Sequence, residues 1–72
     1  MGEWEPLWPP KHDLENSRVS YSFKRDGNHF QLNNVAYDGS GDLTESELKR
    51  RAKAAIIREL ESLVSHLKAS DG

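Results

Sequence analysis

The sequence predicts a small α+β fold in which a β-hairpin packs against one long C-terminal amphipathic helix. Residues 18–37 alternate apolar and polar side chains around the dipeptide Asp26-Gly27, which is typical of a two-residue hairpin turn. Residues 45–68 contain neither Gly nor Pro and carry apolar side chains at helical spacing. These two patterns predict one sheet layer and one helix.

The chain of 72 residues divides in this prediction into an arm, a hairpin–helix domain and a frayed tail, at residues 1–17, 18–68 and 69–72. All three prolines lie in the arm and favour an extended or short-helical backbone there. Its two tryptophans, Trp4 and Trp8, have two alternative roles. They either fold back to cap the core or dock onto a protein partner, because tryptophan is enriched among binding hot spots.

The hairpin register follows from placing Asp26-Gly27 at the turn. The alternation slips at Asn33-Asn34, which predicts a bulge or the end of the second strand. In this register the aromatic side chains of both strands share one face of the sheet. The expected cross-strand pairs are Phe23 with Phe30, Tyr21 with Leu32, and Val19 with Asn34.

The helix has a clear start signal in "TESE", residues 44–47. The Thr44 hydroxyl can accept from the backbone N–H of Glu47, and the Glu47 carboxylate can reach back, as in a capping box. Glu47 is also spaced to pair with Arg51 one turn later. The apolar stripe of the helix contains Leu48, Ala52, Ala55, Ile56, Leu60, Leu63 and Leu67.

Ile57 and Val64 widen this stripe beyond the minimum of about 100° for a core-facing helix. One hairpin is too narrow to cover so broad a face, and a lone hairpin is not stable in water. We therefore predict a protein–protein interaction module that self-associates as an accessory, structural or regulatory component of a larger assembly. The predicted partner-binding residues are Trp4, Trp8, Ile57 and Val64, and the predicted hairpin–helix core joins Tyr21, Phe23, Phe30 and Leu32 to Ile56, Leu60 and Leu63.

Residues 36–47, "AYDGSGDLTESE", resemble the calcium-binding loop of the EF-hand family. The resemblance implies a metal site at Asp38, Ser40, Asp42 and Glu47. Ala36 departs from the pattern, because the first position of that loop is an Asp ligand. Turn-forming residues and the helix cap account for the residues shared with the EF-hand loop without a metal, so calcium binding remains a minor alternative function.

A basic cluster at the start of the helix supports a second alternative, nucleic-acid binding. A hairpin followed by a basic helix start is similar to the second half of a double-stranded-RNA-binding domain, over residues 20–63. The resemblance implies contacts to phosphate groups. The candidate residues are Lys24, Arg25, Lys49, Arg50, Arg51 and Lys53.

Composition and the lack of known motifs limit the remaining classes of function. The chain has no cysteine, which fits a reducing compartment, and it has neither a signal-peptide pattern nor an apolar run that could span a membrane. The three histidines lie in different segments, and no nucleotide or hydrolase motif is present. We therefore expect a cytoplasmic protein that is not an enzyme, binds no cofactor and does not insert into a membrane.

Overall fold

The computed structural model describes residues 2–70 and confirms the α+β prediction. An antiparallel three-stranded sheet, in the order β1-β2-β3, packs against one C-terminal helix. Of the predicted tail, residue 69 belongs to the helix, whereas residues 71 and 72 lie outside the described residues. The elements are β1 (Lys11–Asp13), β2 (Arg18–Arg25), β3 (Asn28–Ala36) and α1 (Glu45–Ala69).

The turn between β2 and β3 has the geometry that its sequence predicts. Asp26 and Gly27 have positive φ angles of 50° and 85°. A type I′ turn requires positive φ at both central residues, and Gly27 adopts it without steric cost. The turn sets the predicted register, and the expected pairs of Phe23 with Phe30 and Tyr21 with Leu32 are confirmed.

The third expected pair is wrong, because a β-bulge shifts the register between Tyr21 and Val19. Val19 pairs with Val35 and not with Asn34. Asn34 takes a positive φ of 55°, and its backbone N–H donates to the Ser20 hydroxyl at 3.0 Å. The slip predicted at this point is therefore a bulge, and β3 continues beyond it to Ala36.

The N-terminal arm adds the strand that the sequence pattern did not indicate. Its residues Lys11–Asp13 form β1 and pair antiparallel with β2. Further upstream, the Glu5 N–H donates to the Lys24 carbonyl at 2.9 Å, and the Lys24 N–H donates to the Glu5 carbonyl at 2.8 Å. The arm thus runs along the outer edge of β2, and its backbone groups are satisfied there.

The helix begins where its capping signal predicts. Thr44 is the N-cap, and its hydroxyl accepts from the Glu47 N–H at 3.2 Å. The expected pair of Glu47 with Arg51 is not formed. Instead, the Arg51 guanidinium donates to the Asp38 backbone carbonyl at 2.8 Å and fastens the preceding loop to the first turns of α1.

The core lies between the first half of α1 and the sheet. Its buried centre consists of Val19, Ala52 and Ile56. The packing expected between the aromatic hairpin and Ile56 and Leu60 is present, but most of its side chains remain partly exposed. The partly buried residues packed on the centre are Tyr21, Phe23, Leu32, Val35, Tyr37 and Leu60.

Candidate interaction surface

An open groove lies between the second half of α1 and the hairpin end of the sheet. It has a volume of about 400 Å³, and every side chain of the described residues that lines it is apolar. The groove exists because the buried residues of α1 stop at Ile56, so the later turns of the helix pack less closely on the sheet. We call it the apolar groove; its lining residues are Trp4, Phe23, Phe30, Leu60, Leu63, Val64 and Leu67.

Trp4 forms the end of the apolar groove nearest the arm and is held there from two sides. Its ring meets the Phe30 ring edge-on, with centroids 6.3 Å apart. The Arg25 guanidinium lies 4.7 Å from the Trp4 ring centroid, within the range of a cation–π contact. Phe23 and Phe30 stack at 5.2 Å and form the floor beside it. Although it is held, Trp4 keeps 48 % of its surface exposed.

Trp8 does not line the apolar groove. Its backbone bonds to the buried Ser22 hydroxyl, and the Lys11 ammonium lies 5.0 Å from its ring centroid. Because side chains alternate along a strand, Ser22 and its neighbour Phe23 point to opposite faces of the sheet. The structure therefore places the two predicted tryptophan anchors in different environments.

Ile57 and Val64 are both exposed, each with 49 % of its surface free. Two helical turns separate them, so they lie on the same flank of α1. Val64 lines the apolar groove, and Ile57 continues the same flank toward the N-terminal half of the helix. Leu67 extends it in the other direction and is 62 % exposed. The described part of the chain thus leaves a set of large apolar side chains about half uncovered, namely Trp4, Ile57, Leu63, Val64 and Leu67.

The six predicted basic residues do not form one patch. Lys24 and Arg25 lie at the hairpin tip, whereas the other four lie at the start of α1, near the opposite end of the sheet. Within the helix, Lys49 pairs with Glu45 at 3.2 Å, and Arg51 is engaged by Asp38. Arg50 and Lys53 are exposed and form no ion pair within residues 2–70.

The EF-hand-like loop has local partners for its first acidic side chain. Asp38 accepts from both the backbone N–H and the hydroxyl of Ser40, at 3.0 and 2.7 Å. The side-chain hydrogen bond from Ser40 is the main cause that lowers the pKa of Asp38 from its usual value, and nearby Arg51 contributes. Across residues 2–70, no three His, Asp or Glu side chains are grouped so that they could hold a metal ion.

No known protein family, curated protein or solved structure matches the chain. Within residues 2–70, no helix is sufficiently long and apolar to cross a bilayer. What the apolar groove could bind is therefore inferred from its own geometry and not from a related protein.

Sequence reasoning found the helix side of the groove but missed its floor. Phe23 and Phe30 were expected to be covered by the helix, because their spacing assigned them to the core face. The length of the helix could have indicated an uncovered floor, because α1 is longer than the strands that it packs against. At about 1.5 Å per residue, 25 helical residues extend over more than 35 Å, whereas the nine-residue strand β3 covers about 30 Å.

Proposed function

We propose that the chain is a non-enzymatic protein–protein interaction module that self-associates through the apolar groove and the adjoining flank of α1. The observation that carries this proposal is the clustering of half-exposed large apolar residues on one connected surface. Single exposed apolar residues are ordinary on soluble proteins, but a contiguous set around a concavity is typical of a binding site.

The shape and composition of the groove favour a protein partner over a small substrate. Among residues 2–70, no titratable or nucleophilic side chain lines it, so these residues offer no group there for acid–base or covalent chemistry. The aromatic floor and the helix wall instead resemble the centre of an interface, where aromatic residues are enriched and charged residues are depleted. Arg25 and Trp4 at its rim are residue types that often supply most of the binding energy.

A second copy of the chain is the partner we favour. The apolar surface of α1 is broader than the part that the sheet of the same chain covers. Ile57 and Val64 lie at the margin of that apolar surface. A symmetric contact between two such flanks would cover both chains at once, which is the usual solution in homo-oligomers.

The proposal is tested by measuring mass by sedimentation equilibrium over a range of protein concentration. We expect a mass above that of the monomer for the wild type. Ile57→Glu combined with Val64→Glu should lower the mass, because each carboxylate would have to be desolvated in the contact.

A matched control variant combines Arg58→Gln with Ser62→Glu. These exposed positions on α1 lie away from Ile57 and Val64, and the pair changes the net charge by the same amount. The control should keep the wild-type mass. A wild-type chain that stays monomeric at high concentration while folded by circular dichroism would contradict self-association.

A further inference from the structure

The outer edge of β3 is an unpaired strand edge within residues 2–70. In β2, the Ser22 carbonyl and both backbone groups of Lys24 bond to the arm and not to β3. Their cross-strand neighbours on β3, Gln31 and His29, therefore direct their own N–H and C=O groups away from β2. Among residues 2–70, no backbone hydrogen bond outside the β2–β3 ladder reaches these groups.

The two outer edges of the sheet differ sharply in how they are protected. The arm edge carries three prolines and the charged residues Glu5, Lys11 and Asp13. Proline and charge are the usual devices that prevent a strand edge from pairing with another chain. β3, with the sequence "NHFQLNNVA", contains no proline, lysine, arginine or carboxylate along its nine residues. The arm edge is therefore blocked, whereas the edge of β3 is open only up to its bulge at Asn34.

We propose that β3 pairs antiparallel with β3 of a second copy, about a two-fold axis at Gln31. This register pairs Gln31 with itself, so the outward N–H and C=O groups of Gln31 in each chain find partners in the other, and it places His29 opposite Asn33, beside the bulge at Asn34. It also places Phe30 opposite Leu32 on the face that packs against α1. Apolar side chains thus meet apolar ones, amides meet polar ones, and no like charges face each other.

The sequence of β3 favours a second copy over an unrelated peptide. An antiparallel strand that pairs with itself must be compatible with its own reversed sequence, and the segment from His29 to Asn33 alternates polar and apolar side chains symmetrically about Gln31. A one-residue slip would place Phe30 and Leu32 against polar neighbours, whereas the proposed register sets them opposite each other.

This contact is separate from the one proposed for the apolar groove. Phe30 contributes its ring to the groove, but its backbone faces β2 and takes no part in the new pairing. Both contacts can therefore form in one assembly. If the two contacts have different two-fold axes, the assembly is larger than a dimer, and the loss of either contact leaves a smaller species.

The test compares Gln31→Pro with Gln31→Ala in the full chain. The Gln31 N–H has no backbone partner within residues 2–70, and proline is tolerated on an edge strand where the N–H faces solvent, so the fold should persist. Proline removes the donor needed for pairing at the two-fold axis, whereas alanine keeps it. By sedimentation equilibrium, Gln31→Pro should have about half the mass of Gln31→Ala.

Adding Ile57→Glu and Val64→Glu to each variant separates the two contacts. If only strand pairing operates, Gln31→Ala is a dimer with or without the helix substitutions and Gln31→Pro is a monomer. If Gln31→Pro keeps the mass of Gln31→Ala in both backgrounds, the strand-pairing proposal is overturned, whatever the helix substitutions do.

A cysteine provides a second readout that does not depend on the proline variant folding. The chain has no cysteine. At the two-fold axis, the Cα atom of Gln31→Cys would lie about 5.5 Å from the Cα atom of its symmetry mate, within the Cα–Cα range of a disulfide. Mild oxidation should cross-link Gln31→Cys at least tenfold faster than Ser62→Cys on α1. Equal cross-linking rates would overturn the proposed register.

Discussion

Ser22 and Trp8 are joined by two hydrogen bonds of opposite direction. The Trp8 N–H donates to the Ser22 hydroxyl at 2.9 Å, and the same hydroxyl donates to the Trp8 carbonyl at 3.2 Å. Ser22 is 2 % exposed, so both backbone groups of Trp8 depend on one buried side chain. This contact fastens the arm to β2 between the Glu5 bridge and β1, and it helps to hold Trp4 at the apolar groove.

Ser22→Ala should lower the free energy of unfolding by about 1–3 kcal/mol, because it leaves two backbone groups without their partner in a partly buried place. Urea unfolding measures this change. The same substitution at exposed Ser62 should change stability by less than about 0.5 kcal/mol. If the two variants are equally stable, the Ser22 hydroxyl does not hold the arm.

Thr44→Ala should destabilise the fold by about 0.5–2 kcal/mol, because the Glu47 N–H loses its capping acceptor. Thr44→Ser keeps a hydroxyl in the same place and should retain most of the stability. Thermal unfolding followed by circular dichroism compares the three proteins. If Thr44→Ser loses as much stability as Thr44→Ala, the capping hydrogen bond is not the cause.

The Asp38 carboxyl should titrate below its usual pKa of 3.8, chiefly because the Ser40 hydroxyl donates to it. A lowered pKa in the folded state means that Asp38 favours folding above about pH 4, and this contribution is lost as the pH falls through the folded pKa. An NMR titration of the side-chain carboxyl measures the value. Ser40→Ala should raise it toward 3.8, and an unchanged pKa would exclude the Ser40 contact.

Nucleic-acid binding should be weak or undetectable, because Lys24 and Arg25 lie far from the start of α1, where carboxylates already pair with Lys49 and Arg51. Fluorescence anisotropy with a labelled RNA duplex at low salt tests this expectation. A tight complex that weakens steeply with salt would contradict it, since that slope reports phosphate contacts. Alanine variants would then identify the contacts among Lys24, Arg25, Lys49, Arg50, Arg51 and Lys53.

The hairpin and the helix were predictable because their signals are local. Asp26-Gly27 sets both the turn type and the register, and Thr44 with Glu47 marks the start of α1. β1 was not predictable in the same way, because it depends on hydrogen bonds to β2 that are distant in sequence. The prolines of the arm also interrupt the alternation that identifies a strand, although the backbone just before the first of them still pairs at Glu5.

The apolar groove was only partly predictable from the sequence. The width of the apolar stripe indicated that Ile57 and Val64 would remain uncovered, and the tryptophans indicated an anchor. The sequence does not determine where along the sheet the helix makes its closest contact. That position decides that Phe30 lines an open groove and that Trp4, rather than Trp8, lies beside it.

The measurement that tests the central claim most directly is the accessibility of Trp4 as a function of protein concentration. In a Trp8→Phe background, Trp4 is the sole tryptophan, and acrylamide quenching of its fluorescence reports its exposure. We expect quenching to fall as the mass rises with concentration, and to stay constant when Ile57→Glu and Val64→Glu are added. Assembly without any change in Trp4 quenching would contradict the proposal that the apolar groove is the interface.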